Sequence, residues 1–186
     1  SPDLPVSAKD IVNSYKEKEL SDIFYKFGEE RHSRKIAKKI IEYRAKSKIN
    51  TTYQLADIIK GVVPAYKSKI HPATRCFQAL RIAVNRELEN AEKAIKSAFE
   101  GLKSGGRLAV ISFHSLEDRI VKQFFKYMNK SCICPPEWPI CKCKGQRKLD
   151  ILTKKPIVAE SDEISKNKAS RSSKLRVAEK LMESED

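Results

Sequence analysis

Glycine is scarce in this sequence. There are six in 186 residues: Gly28, Gly61, Gly101, Gly105, Gly106 and Gly145. None forms a Gly-x-Gly turn after a strand-like run, the turn that lets backbone approach a nucleotide-type cofactor closely. Gly105-Gly106 precedes such a run instead of following it. An acidic strand end able to hold a ribose is missing too. Apolar runs are short, and none approaches the roughly 20 residues needed to span a bilayer. No basic-then-apolar leader opens the chain. The expectation is a soluble, cytoplasmic protein with no membrane partner. Negative charge is in the minority: 24 Asp and Glu stand against 38 Lys and Arg, for a net charge of +14. Such a surface attracts polyanions, nucleic acid first.

Hydrophobic residues still make up 40% of the chain, enough for a core in one ordinary domain or two small ones. The five cysteines are Cys76, Cys132, Cys134, Cys141 and Cys143. An odd count without a leader argues against a secreted disulfide framework. Four of them form a Cys-x-Cys, six-residue, Cys-x-Cys arrangement in a Pro-rich loop at 131–147, and four thiolates suit a tetrahedral zinc ion. Zinc ribbons usually leave two residues between paired cysteines, so a cluster of reduced thiols stays open beside the metal. The start Ser1-Pro2-Asp3, without Met, is read as that of a fragment.

The first 70 residues read as a small, basic, all-helical domain. Ser7-Ala8-Lys9-Asp10 is a helix-start signal. A second helix is expected from about 17 to 27 with Gly28 as its stop, and a third from about 29 to 46. Thr51 or Thr52 would cap a fourth. A further helical pattern runs from His71-Pro72 to Leu102, with Glu89-Asn90 as a possible joint. Arg107 to Phe113 is a short apolar run of strand formers, read as a buried strand of a parallel sheet. Ser115-Leu116-Glu117-Asp118 starts another helix. Residues 149–153 and 175–181 are expected strands, and 161–173 a loop.

Three groups of residues carry possible chemistry. Ser112, Phe113, His114 and Ser115 stand where a strand ends and a helix begins, the place where open α/β sheets bind ligands. Unpaired amides at that helix start would also favour an anion. Ser115 as a mere cap and His114 as a surface residue explain the same spacing equally well. Thr74, Gln78, Arg81 and Asn85 share one side of a helix, where they either face solvent or hydrogen-bond bases and phosphates. Arg31, Arg34, Lys35, Lys38, Lys39, Arg44, Lys46 and Lys48 crowd one helix and its exit, and suit contact with a phosphate backbone. A non-catalytic RNA-binding or zinc-stabilised module would account for these features as well as an enzyme does. A helical protein-interaction domain is a third reading.

Several stretches resemble the bacterial 16S ribosomal RNA cytosine-N4 methyltransferase family, known as the RsmH or MraW family. They are Phe27 to Arg31, His71 to Arg75, Phe77 to Asn85, Gly105 to Val121, Thr153 to Ile157 and Ser173 to Glu179. The resemblance implies an α/β fold: a class I, Rossmann-like S-adenosylmethionine-dependent methyltransferase sheet with an all-helical domain inserted. Residues 1–70 resemble the insert, with RNA recognition implied for it. Residues 71–186 resemble the C-terminal part of the sheet domain. The implied substrate is a cytidine of 16S ribosomal RNA in the small subunit. The implied catalytic set is Ser112, His114 and Ser115. Arg31, Arg34, Lys35, Lys38, Arg75, Gln78, Arg81, Asn85 and Phe113 are the implied RNA contacts. The family's donor-binding motifs precede the insert and have no counterpart here, so no donor-binding residue is assigned, and the chain alone is expected to be inactive.

Overall fold

Ser7 starts the first helix as its spacing predicts. Its hydroxyl accepts from the Asp10 amide at 3.2 Å, and the Asp10 carboxylate accepts from the Ser7 amide at 2.9 Å. In the computed structural model, residues 6–63, 70–132, 134, 140 and 147–182 are described. They build a mixed α/β chain, mostly helical with one small antiparallel sheet. None of the described helices is long and apolar enough to cross a membrane. The chain divides into two units, Ser1–Glu87 and Leu88–Asp186.

The first unit contains α1 (Ala8–Ser14), α2 (Glu17–Gly28), α3 (Ser33–Arg44), α4 (Thr52–Lys60) and α5 (Thr74–Asn85). Apolar residues one helical turn apart put Leu20 and Phe24 of α2, Ile36 and Ile40 of α3, Leu55 and Ile59 of α4 and Cys76 and Leu80 of α5 into one core. Burial pushes the Cys76 thiol up to about 12, with the nearby Glu30 carboxylate adding to the effect. Because α5 buries its face in the same core, the packing unit runs past residue 70 to Glu87. Arg44 is not available to a phosphate. Its guanidinium donates to the carbonyls of Val12 at 2.8 Å and Tyr15 at 2.6 Å, a cation set at the C-terminal end of α1.

Gly28 is not the stop it was expected to be. It is still helical, and the left-handed residue that ends α2 is Glu29, at φ 49°. Gly28 is small because α5 crosses there: a Cβ on it would stand 2.6 Å from the Arg75 carbonyl oxygen. The joint after α5 is Arg86, at φ 50°, and not Glu89-Asn90.

The second unit contains most of α6 (Glu87–Gly101), then β1 (Arg107–Ser112), α7 (Ser115–Met128), β2 (Leu149–Ile151), β3 (Ile157–Val158), α8 (Ser161–Lys166), a 3-10 turn (Lys168–Ser172) and β4 (Lys174–Lys180). The sheet order is β1-β4-β2, with β3 also on β4, and every pairing is antiparallel. None of these pairings is parallel, and the expected parallel neighbours of β1 are not among the described residues. Its partner among the described residues is β4, and one face alone is covered. Leu108 and Val110 pack with Ile95, Phe99, Val121 and Phe125, whereas Ile111 is 58% exposed. The expected pairing of the last two strands is found, as β2 with β4. The polar segment 161–173 is helical, not a loop. Asp162 and Glu163 in the first turn of α8 and Lys166 in the last complement the helix dipole. Gly105, at φ 76°, turns the chain into β1, and its amide donates to the Lys180 carbonyl at 2.8 Å.

Candidate nucleic-acid interface and strand-end site

In the first unit, α3 buries Ser33, Ile36, Ala37 and Ile40, and Ile41 and Tyr43 pack against the same core. Arg31, Arg34, Lys35 and Lys38 are all exposed. Lys39 is paired with Glu42 at 3.1 Å. The close crossing at Gly28 sets the backbone of Arg75 against the end of α2, three residues before Arg31. The stretches 27–31 and 71–75, far apart in sequence, thus meet in space. Arg75 itself is exposed. Along α5, Thr74 is exposed and Gln78 half-buried. Arg81 makes a two-pronged ion pair with Glu87, at 2.8 and 3.0 Å, and Asn85 donates to the same carboxylate at 3.2 Å. A nucleic acid contacting Arg81 or Asn85 would compete with Glu87 for them.

In the second unit, β1 hands its last residue directly to the start of α7. Ser112 is buried, its hydroxyl donating weakly to the Lys174 carbonyl at 3.4 Å. Phe113 stands out from the surface, 55% exposed. The N-cap of α7 is His114, not Ser115. His114 Nδ1 accepts from the Glu117 amide at 3.3 Å, and the Glu117 carboxylate accepts from the amides of Phe113 at 2.9 Å and His114 at 3.3 Å. An accepting Nδ1 puts the proton of a neutral ring on Nε2, which lies 3.2 Å from the other Glu117 oxygen. Nδ1 is thereby committed to the cap, and Nε2 is buried beside that carboxylate. The Glu117 carboxylate takes the amides of Phe113 and His114, so an anion at this helix start would meet a negative charge already in place. Ser115 is the first residue of α7 and exposed.

One turn into α7, Asp118 is 8% exposed and Arg176 of β4 is 7% exposed. They form a two-pronged pair, Nε to Oδ1 at 2.6 Å and Nη2 to Oδ2 at 3.1 Å. Hydrogen bonds from Arg176 hold the Asp118 carboxyl below the usual carboxylate range, against the opposing effect of burial. Lys174 adds its charge, at 3.6 Å. This ion pair locks the helix that carries His114 onto the sheet. Sequence reasoning missed it, since the partners are far apart in the chain.

The cysteine arrangement lies partly outside the described residues. The Cys134 amide donates to Cys132 Sγ at 3.4 Å. Cys141 and Cys143 are outside the described residues, so the four-thiolate expectation meets the structure only at its first pair.

Comparison with known proteins gives a consistent set of relatives. The model of the MraW methylase family matches residues 1–181. A ribosomal RNA small subunit methyltransferase H from Caldicellulosiruptor saccharolyticus is 54% identical over 176 residues, covering 95% of this chain and 57% of the relative. The protein of the same name from Treponema denticola is 52% identical over 183 residues, covering 97% and 58%. That from Fusobacterium nucleatum is 52% identical over 181 residues, covering 97% and 57%. The chain thus spans a little under three fifths of the length of the curated relatives it matches.

Proposed function

Since this chain belongs to the MraW methylase family, we propose that it is part of an S-adenosylmethionine-dependent methyltransferase acting on N4 of a cytidine in 16S ribosomal RNA. The observation that carries this is the family match over residues 1–181 in a chain covering only 57% of a relative named for that class of reaction. In this proposal the first unit is a helical insert that grips the RNA. The second unit is the C-terminal part of a Rossmann-like sheet, and β1 receives further strands from polypeptide outside this chain. β1 is an edge strand in the order β1-β4-β2, and the edge that β4 does not use supports that placement.

The described residues do not fit the methyl donor. Two described strands lead into a helix: β1 ends in a capping box closed by Glu117, and β3 runs through Ala159-Glu160 into α8, so neither tip carries a glycine turn. No catalytic step through the donor is assigned to this chain. Its own contribution is to position the acceptor. A cytosine taken out of its stack can rest on the exposed ring of Phe113, while Ser112, His114 and Ser115 shape the wall beside it. Holding the exocyclic amine in line for attack supplies part of the rate gain of such a transfer. Arg31, Arg34, Lys35, Lys38 and Arg75 contact phosphates, and Gln78, Arg81 and Asn85 reach the RNA from α5.

Calorimetry tests the division of labour. This chain should bind 16S ribosomal RNA with an affinity that falls steeply with salt, and should give no binding heat with S-adenosylmethionine. Donor binding would overturn the proposal. Within a full-length relative, the residue matching His114 changed to Ala should slow turnover roughly tenfold through loss of the cap. An Asn there, itself a good cap, should recover most of the rate. Turnover unchanged in the Ala variant would remove His114 from the site. Turnover equally low in both would give the imidazole itself the role.

A further inference from the structure

A second basic surface lies in the second unit, on residues to which no role was assigned from sequence. A cleft of about 310 Å³ runs between α7 and the β2 edge of the sheet. Its α7 wall is one stripe at spacings of three, one and three: Lys122, Phe125, Lys126 and Asn129. The facing wall carries Arg147, Asp150 and Lys154, with Arg176 at the base. Two of these cations are neutralised within the protein. Arg147 pairs with Asp150, and Arg176 with Asp118. Lys122, Lys126 and Lys154 have no ion-pair partner among the described residues. Three lysines thus converge on a concave surface whose one lining carboxylate is already used.

From this arrangement we infer that the cleft is a contact site for the phosphodiester backbone of RNA. The inference rests on the RNA-methyltransferase reading and adds a second anchoring point to it. Lysine is a compact point charge with three donors, suited to phosphate oxygens without a fixed angle. Lys122 and Lys126 sit one turn apart, ~5–6 Å between Cβ atoms, so one strand can meet both in succession. Phe125, the aromatic ring in the lining, is buried at 1% exposure and offers no face for a base. The cleft therefore holds backbone and reads no sequence. Asn129 is committed to the Leu149 carbonyl at 2.7 Å and keeps the two walls together.

The test uses the whole chain, a fluorescent single-stranded oligouridylate and protein-free 16S ribosomal RNA. Anisotropy is measured across a salt series for four proteins: the parent, K122Q/K126Q/K154Q, the charge-keeping K122R/K126R/K154R, and R34Q/K35Q/K38Q in the first unit. The cleft glutamine variant should bind about tenfold more weakly, with the log–log salt slope smaller by roughly two. The arginine variant should match the parent. All three lysines are exposed, so circular dichroism should be unchanged. If the glutamine variant binds like the parent while the first-unit variant is weakened, the cleft inference falls and the wider reading stands. If the parent binds neither RNA, both fall together.

Discussion

Asp118→Ala is expected to cost the second unit about 3–5 kcal/mol, the usual penalty for leaving one member of a buried ion pair without the other. Arg176 is 7% exposed and has its Nε and Nη2 directed at that carboxylate. Without it, a guanidinium is stranded under α7. The urea midpoint should drop, and hydrogen exchange should locate the loss in α7 and β4. Replacing both residues by apolar ones of similar volume should be far milder, since the pair's own desolvation is costly. A single Ala variant as stable as the parent would mean that the pair holds nothing together. The sign of the pH effect follows from the lowered carboxyl of Asp118. A carboxyl that ionises more easily folded than unfolded adds stability that is fully present above its unfolded value, about 4. That stability fades as the pH falls through the folded value. Asp118→Asn should therefore flatten the acid limb of the stability curve below about pH 4 while lowering the plateau above it.

The largest effect in the first unit is expected at Gly28. A Cβ there would lie 2.6 Å from the Arg75 carbonyl oxygen and 3.2 Å from the Ala79 Cβ. The first of these is backbone and has no rotamer to escape into. Gly28→Val should cost about 3 kcal/mol as α2 and α5 are forced apart. Gly28→Ala should cost about 1–2 kcal/mol, because alanine's better helix propensity returns about 1 of the strain. Thermal melts of the two variants check the order. An Ala variant more stable than the parent would show that the crossing has room. Since the crossing is also where Arg31 and Arg75 are brought near one another along the backbone, RNA affinity should fall with it.

What could be read in the chain divides along the range of the interaction. Ser7 with Asp10 and Thr51 with Gln54 are local devices, and helices begin at both as expected. The start of α7 shows the limit. Ser115 to Asp118 and His114 to Glu117 each offer a cap followed by an acid three residues on. Asp118 is taken by Arg176, 58 residues away, so the register one residue earlier is the one used. Gly28 has the composition of a helix stop, but its smallness answers a neighbour that sequence does not name. The run Leu108 to Ile111 has no polar residue to mark an outer face, so one-sided cover could not be told from two-sided. At the candidate site, Ser112 to Ser115 were visible because they are contiguous. The lysine cleft was not, because it is assembled from α7, the stretch from 147 to 154 and β4.

One feature of the sheet bears on how the chain comes off the ribosome. β4 is the last of the described strands to be made, yet β1, β2 and β3 all pair through it. Until it emerges, the other three have no ladder partner among the described residues. At about 5–20 residues per second, synthesis from Ser112 to Lys180 takes several seconds, during which the edge of β1 that β4 will occupy stays open. Folding of this unit is thus a late and nearly concerted event, and a chaperone has a defined interval in which to matter.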